Sequence, residues 1–441
     1  MYTPGVTPTS RAINHDTRWH PAARIAFRFC LVYFGLFVLT TQMLPEMCPI
    51  RGLDEHDLGT LPPIRNLVLW IGAHVLRISR PIGFAATGSG DKTFDFVLAF
   101  TLLCIAAATT LIWTAAAKRR DNHERAFKWF RLFIRLALAT TMLSYGWAKV
   151  VPLQMPTLWL NGLVEPFGNL SPMGVLWNSI GAAPAYEIFV GLAEVCAGLL
   201  LFWPRTATLG AAMCLMDAIE VFTLNMTYDV PVKLFSFHLA LMSLFLLAPN
   251  LIRLFKLFVL HSTSSIREEP LLGRSVVARR NAVAAQIVYG AVMMLYCGYY
   301  AAYDWSHAGG GAPKSALFGI WDVNIMTVDG KPRAPLLTDS TRWRRLIFQM
   351  PAFMAFQRPN DNFARYGTTI DTTTKTLTLI ARDSAKSKWP LTYQRPTNER
   401  LLIDGTMDGH AVHLELAYRD PNSFLQKSRG FHLISEVPFN R

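Results

Sequence analysis

Ionisable residues recur inside four long apolar segments of the chain, at residues 126–150, 185–203, 206–226 and 232–250. Each segment is close to the roughly 20 residues that cross a bilayer core. An ionisable group near the membrane centre costs about 2.5–3.5 kcal/mol on insertion scales, so such groups face a bundle interior and meet one another or water. The pattern predicts a four-helix transmembrane bundle with a polar centre.

The acidic residues are spaced so that they share helix faces. Asp217 and Glu220 are three residues apart, and Glu187 and Glu194 are seven apart. Carboxylates that converge in a low-dielectric site beside a cation can bind and release protons, as proton exchange with a quinone requires. The predicted catalytic residues are Glu194, Asp217 and Glu220, and the predicted substrate-binding residues are Arg135, Lys149 and His238.

A purely structural role for these residues is the alternative. Arg135, Glu194 and Asp217 would then form a buried ion-pair network that fixes the register of the helices. Breaking such a pair costs about 3–5 kcal/mol, so the network can be required for folding without taking part in chemistry. His238 has the corresponding alternative of a hydrogen-bonded core residue.

Metal, nucleotide and nucleic-acid sites are not predicted. The 6 cysteines stand singly, without a Cys-x-x-Cys pair or a Cys/His ligand spacing, and the chain has no Gly-rich nucleotide loop. With 51% hydrophobic residues and a mean hydropathy of +0.25, the chain has the composition of an integral membrane protein. Its net charge of +13 comes from basic residues beside apolar segments, which is typical of topology signals rather than of a nucleic-acid partner.

Three further segments raise the predicted number of transmembrane helices to about seven. They are residues 24–44, 93–117 and 281–303, whereas residues 62–80 carry several charges and are predicted as an interfacial helix. The basic cluster at residues 118–131 is predicted to be cytoplasmic. This orientation places the N-terminus in the cytoplasm of a bacterial-type cell, the helices in the inner membrane in contact with lipid, and everything after Asp304 in the periplasm or outside the cell.

The composition changes after a glycine hinge at residues 309–311. Short runs of alternating apolar and polar residues predict about eight antiparallel strands, with turns at Asp329-Gly330, Asp404-Gly405 and Asp408-Gly409. The predicted strands are 317–327, 343–349, 363–370, 374–382, 390–395, 399–404, 410–418 and 430–437. So many strands in about 125 residues predict an extramembrane antiparallel all-β domain, built as a small barrel or a sandwich.

Gly319-Ile320-Trp321 resembles the Gly-x-Trp element that begins the first strand of lipocalin-like barrels. The resemblance implies a cup for an apolar ligand, and the alternative is a filled barrel that acts as a docking or lid domain.

The sequence predicts four parts of the chain in all: an N-terminal membrane region (1–125), the four-helix bundle (126–250), a basic loop with the last span and hinge (251–312), and the outer β-domain (313–441).

Two stretches of the bundle carry a family resemblance. LSYGWAK at 143–149 and GLAEVCAGLLLFWPRTATLG at 191–210 resemble the DoxX/DoxD superfamily of small four-helix membrane proteins. Its Gly-x-x-Lys element matches Gly146 and Lys149, and its Glu with a Gly-Leu run matches Glu194 and residues 198–201. Members of that superfamily are linked to membrane redox chemistry, including a thiosulfate:quinone oxidoreductase subunit.

The resemblance implies a DoxX-type, redox-associated subunit, a membrane oxidoreductase component that binds a quinone-like or lipophilic molecule in its charged bundle core. Quinone is the cofactor that this interpretation favours. The alternative is a non-enzymatic scaffold, assembly factor or carrier, whose β-domain binds a ligand or a membrane or periplasmic protein partner.

Overall fold

The computed structural model describes residues 19–52, 57–117, 123–262, 265, 269–381 and 388–440. A helical N-terminal region precedes an antiparallel β-barrel. The helices are α1 (Pro21–Thr40), α2 (Met43–Glu46), α3 (Pro62–His74), α4 (Thr93–Ala116), α5 (Glu124–Val150), α6 (Pro172–Gly181), α7 (Pro184–Phe202), α8 (Ala207–Thr227), α9 (Lys233–Leu247), α10 (Leu251–Phe258), α11 (Val276–His307) and α12 (Leu425–Ser428). The strands are β1 (Gly319–Val328), β2 (Lys331–Pro332), β3 (Arg345–Met350), β4 (Phe353–Gln357), β5 (Phe363–Asp371), β6 (Thr376–Ala381), β7 (Lys388–Thr397), β8 (Arg400–Met407) and β9 (His410–Arg419).

Six helical segments in the described part of the chain are long and apolar enough to cross a membrane. They are α1, α4, α7, α8, the segment Lys233–Phe258 that joins α9 to α10, and α11. Local signals fix where several helices begin: proline is the first residue of α1, α3, α6 and α7, and Ser171 accepts the Gly174 N–H at the start of α6. The fold is that of a multi-pass membrane protein.

Helix α5 is the predicted span that is not among these six. At 27 residues it is about 40 Å long, which exceeds the bilayer core. Its basic and acidic residues, however, keep it below the apolar composition of the other six segments. The prediction of about seven spans is therefore close, with six shown by length and composition.

Helix α3 occupies the segment that was predicted to be interfacial. It has 13 residues and is about 20 Å long, too short for a bilayer core of about 30 Å. Residues 118–122 of the basic cluster used to orient the helices lie outside the described residues, so the orientation stays a prediction.

The chain divides into two compact units, which are interleaved in sequence. The first contains residues 1–142, 197–222 and 231–293, and the second contains residues 143–196, 223–230 and 294–441. In the first unit, α1 packs along α4, and aromatic residues of α1 and α5 lie in its core with the apolar face of α9. The predicted boundaries at 125, 250 and 312 stay predictions.

The β-domain is a closed barrel within the second unit. In the described residues, β1 and β3–β9 form eight antiparallel strands in chain order, and β1 also pairs with β9 to close the sheet. The short β2 forms a hairpin with β1 across Asp329-Gly330, where both residues have positive φ angles of 51° and 74°. This is the two-residue turn that the Asp-Gly pair predicts, and Asp408-Gly409 makes the matching turn between β8 and β9.

Side chains fill the interior of the barrel. The core residues there include Trp321, Leu346, Phe348, Met354, Phe356, Leu377, Leu379, Leu401, Leu414 and Leu416. Trp321, the tryptophan of the Gly-x-Trp element, is fully buried and donates its indole N–H to the Leu317 carbonyl at 2.9 Å. The packing favours the filled-barrel alternative over an apolar cup.

Three details of the predicted β-domain are wrong. Residues 430–437 form no strand, and β4 was not predicted at all. The Asp404-Gly405 pair lies inside β8 instead of forming a turn. A Cβ at Gly405 would lie 2.5 Å from the Leu391 side chain and 3.0 Å from the Pro390 carbonyl oxygen, so glycine permits close strand approach here.

The three histidines of the β-domain make separate contacts. His410 contacts Asp329, His432 contacts Arg429, and His413 lies 2.6 Å from Asp404 and 3.7 Å from Glu415. Among the described residues, no group of His, Cys, Asp or Glu has the arrangement of a metal site. The hydrogen bond to Asp404, and then the charges of Asp404 and Glu415, raise the pKa of His413 above its ordinary value of 6.5.

We expect the stability of the barrel to fall as the pH rises through the raised pKa of His413. The raised pKa means that the protonated imidazole stabilises the folded state below pH 6.5 and that this contribution is lost above the folded-state pKa. Histidine-selective NMR titration of the full chain should show His413 titrating above 6.5, and Asp404→Asn should move that midpoint downward. An unchanged midpoint in Asp404→Asn would contradict the assignment.

Candidate functional site

A buried ion pair between α5 and α7 lies at the centre of the candidate site. Lys149 Nζ contacts both carboxylate oxygens of Glu194, at 2.6 and 2.7 Å. The whole residues are 5% and 1% exposed, respectively. Of the residues predicted for the site, these two are the ones that the structure brings into direct contact within the second unit.

Glu187 adds a second carboxylate to this pair. It lies two turns before Glu194 on α7, is 1% exposed and interacts electrostatically with Lys149. Its Oε1 accepts the Met155 backbone N–H at 2.9 Å, while its buried Oε2 has no hydrogen-bond partner among the described residues. Lys149 therefore hydrogen-bonds to Glu194 and interacts with Glu187 only electrostatically. A buried carboxyl oxygen such as Glu187 Oε2 is costly unless it meets a partner.

Two glycines let the helices approach closely enough for this pairing. A Cβ at Gly146 would lie 2.9 Å from the Gly191 carbonyl oxygen, and a Cβ at Gly191 would lie 2.6 Å from the Gly146 carbonyl oxygen. Both distances are below those of real Cβ contacts, and both obstacles are backbone atoms that cannot rotate away. The lysine that follows Gly146 by three residues is thereby held against α7.

The segment between α5 and α7, residues 151–183, joins this site to the barrel within the second unit. At one end, the Met155 N–H donates to Glu187 Oε1. Five residues further along the chain, the Leu160 N–H donates to Gln349 Oε1 on β3 at 3.0 Å. Leu160 also packs among barrel residues, and Gln357 donates to the Val164 carbonyl at 3.2 Å. The segment, called the cap segment below, therefore contacts the carboxylate site at one end and the barrel further along.

Arg135 lies in the first unit and has a different partner. Its guanidinium donates to Gln286 Oε1 on α11, and its Nε is buried without a hydrogen-bond partner in the described part of the chain. The cavity beside it, lined also by Lys128 and Glu269, measures about 10 Å³. That volume holds about one water molecule, so this cavity is too small for a substrate.

His238, also in the first unit, is a hydrogen-bonded core residue. Its Nδ1 lies 2.7 Å from the Leu234 carbonyl oxygen and must donate to it, so its Nε2, 2.7 Å from the Tyr33 hydroxyl, accepts from Tyr33 in the neutral ring. Phe37 stacks on the ring with a centroid distance of 4.0 Å. A ligand would have to displace Tyr33 to bind His238.

Asp217 and Glu220 lie on the part of α8 that belongs to the first unit, whereas Glu194 belongs to the second. Asp217 is half-buried and Glu220 is exposed, on the same helix face as the exposed Met216 and Ile219. The predicted convergence of these carboxylates with Glu194 therefore stays a prediction.

Glu187, which lies near Lys149 and Glu194, was not assigned a catalytic or binding role in the sequence analysis. The available signal was its seven-residue spacing from Glu194, which places the two carboxylates on one helix face. The spacing did not reveal the Met155 hydrogen bond, because that contact depends on how the cap segment folds back on α7.

Comparison with known proteins places part of the chain in a family. No family model matches the chain, and no solved structure matches it. It is 30% identical over 154 residues to YwoB, an uncharacterized protein of Bacillus subtilis (strain 168), in a match that covers 87% of YwoB. The chain belongs to the YwoB family.

The YwoB match covers 33% of this chain, so two thirds of the chain lie outside it. YwoB is described as uncharacterized, and membership of its family therefore assigns no activity. The similarity to DoxX proteins remains a prediction from the two motifs.

We expect Gly191→Ala to destabilise the second unit. The added methyl would meet backbone atoms of Gly146 and Val150 at 2.6 and 2.7 Å, and overpacking of this kind typically costs about 1–3 kcal/mol. Thermal unfolding of the purified protein in mild detergent should show a lower melting temperature. Gly168→Ala is the matched control, because a Cβ there would meet nothing within 4 Å. Equal melting temperatures for the two variants would show that the helices are not in close contact.

Proposed function

We propose that the protein is a redox-associated membrane subunit of the DoxX type, which binds a quinone-like or lipophilic molecule beside the Lys149 cluster and exchanges a proton with it. The supporting observation is the charge count of the cluster: two buried carboxylates and one ammonium, with Glu187 Oε2 unpartnered among the described residues. A cluster that only fixed helix register would need one carboxylate for one lysine.

In this proposal one of the two carboxyl groups, Glu187 or Glu194, carries an exchangeable proton, and Lys149 stabilises the one that is ionised. A hydroxyl of the bound molecule would give a proton to the ionised carboxylate, or a carbonyl would accept a hydrogen bond from the protonated one. In the first unit, Arg135 compensates charge, and the roles of Asp217, Glu220 and His238 stay predictions from the sequence. The inner membrane, a cytoplasmic N-terminus and a barrel on the periplasmic side belong to the same proposal.

The second candidate is a non-enzymatic scaffold, assembly factor or carrier. Two observations favour it: the barrel interior is filled by side chains, and the cap segment is attached to the barrel by hydrogen bonds and apolar packing. A rigid β-domain of this kind suits the docking of a membrane or periplasmic protein.

We expect the double substitution Lys149→Met with Glu194→Leu to abolish quinone binding while the protein stays folded. Single substitutions leave an uncompensated buried charge, which costs about 3–5 kcal/mol, whereas replacement of both partners by apolar residues is often neutral for stability. Binding of ubiquinone-1 by protein in lipid nanodiscs should weaken at least 10-fold relative to the unsubstituted chain.

The matched control replaces a second buried pair of the described residues, Arg131 and Glu269, by Met and Leu. It removes an ion pair of the same burial from the first unit, so quinone binding should persist if the protein folds. Unchanged binding in the Lys149/Glu194 double variant would overturn the proposal. An unsubstituted protein that binds no ubiquinone-1 and co-purifies with a stoichiometric polypeptide would favour the scaffold.

A further inference from the structure

A cavity of about 330 Å³ lies at the rim of the barrel, between the segment that precedes β3 and the turn that joins β4 to β5. It is separate from the filled interior, although two of its lining residues, Val323 and Trp343, also belong to the hydrophobic core of the barrel. Its wall is mostly apolar, with Val323, Leu337, Trp343 and Pro359. The charged residues of the lining are Arg342 and the ion pair of Arg344 with Asp361. The volume is at the lower end of ligand pockets, which measure about 300–1,000 Å³.

Arg342 is a buried cation in the lining of this cavity. It is 2% exposed, and its guanidinium donates to the carbonyl oxygens of Trp343 and Val323 at 2.5 and 3.2 Å. Its Nε is buried and has no hydrogen-bond partner among the described residues. The guanidinium is thus incompletely satisfied at the edge of an apolar space.

The carboxylates near the rim are already paired with other arginines. Asp339 pairs with Arg333 at 3.5 Å, and Asp361 pairs with Arg344 at 2.5 Å. Asp339 Oδ1 also accepts the Arg342 backbone N–H at 3.2 Å, but among the described residues no ion pair involves the Arg342 guanidinium. Burial lowers the pKa of Arg342, which Asp339 only partly opposes.

An unpaired buried cation is costly, and two carbonyl oxygens compensate its charge only in part. Such a group beside a cavity is best explained by a ligand that completes its environment. A cation that forms no ion pair among the described residues suits one negative charge, and a planar carboxylate matches the guanidinium. The apolar wall formed by Leu337, Trp343 and Pro359 suits a hydrocarbon body. A phosphate dianion would require further free cations, and Arg344 is engaged by Asp361.

We propose that the rim cavity binds a small organic carboxylate with a short apolar body, held through its carboxylate by Arg342. The filled core behind Trp343 limits the length of that body and excludes a long acyl chain. This site is independent of the proposed function of the Lys149 cluster, because it uses other residues and another ligand chemistry.

The test is calorimetric titration of the full chain in lipid nanodiscs with 4-phenylbutyrate, compared with 4-phenyl-1-butanol and with empty nanodiscs. The carboxylate should bind at least 10-fold more tightly than the alcohol, and Arg342→Gln should remove that preference. If the alcohol binds equally well, or if 4-phenylbutyrate gives no more heat than with empty nanodiscs, the proposal is wrong.

A second variant tests the proposal even if Arg342→Gln does not fold. Leu337 lines the cavity but is 73% exposed, so Leu337→Asp should fold normally and should weaken 4-phenylbutyrate binding at least 10-fold by charge repulsion. Leu336→Asp is the matched control: Leu336 is 59% exposed and is not among the residues that line the cavity. It adds the same charge one residue away and should change the affinity less than 3-fold. Equal effects of the two variants would place the ligand outside the cavity.

Discussion

The Lys149–Glu194 ion pair is the interaction on which the second unit depends. Two charges buried in a low-dielectric region require each other, and they can meet only because Gly146 and Gly191 allow the backbones of α5 and α7 to touch. The same helix contact places Glu187 where it binds the Met155 N–H and fixes the start of the cap segment. The cap segment then binds the barrel at Leu160, so a chain of short contacts leads from the buried lysine to the β-domain.

Much of the fold could be predicted because its signals are local. Apolar segments of about 20 residues gave the spans, and the Asp-Gly pairs that precede β2 and β9 gave correct turns. The failures required tertiary information. Residues 430–437 alternate like a strand, but β1 and β9 pair with each other and leave no free edge at the closure for the tail to join. Strand β4 was missed because it is short, mostly apolar and begins directly after a turn at Pro351-Ala352.

The candidate site was less predictable, because its chemistry depends on which cation meets which carboxylate. Sequence spacing selected Lys149 and Glu194, but it equally allowed Arg135 to pair with Glu194, whereas the structure pairs Arg135 with Gln286. Nothing in the sequence distinguished Arg342 from the neighbouring Arg344 and Arg345. Their difference arises from burial and from Asp361 and Asp322, which pair with Arg344 and Arg345 and leave Arg342 with carbonyl partners.

The presence of a buried ion pair alone does not indicate chemistry, and the described part of the chain offers two for comparison. In the first unit, Arg131 meets one carboxylate, Glu269, and its remaining donors reach the carbonyls of Phe245 and Leu246. The donors of Arg131 are thus satisfied, as those of an architectural element should be, and Glu269 also interacts electrostatically with Arg135. In the second unit, Lys149 hydrogen-bonds to Glu194 and interacts electrostatically with Glu187, and one buried oxygen of Glu187 lacks a partner among the described residues. The hydrogen bond from Met155 accounts for one oxygen of Glu187, and a proton or a ligand at the other oxygen would complete its environment.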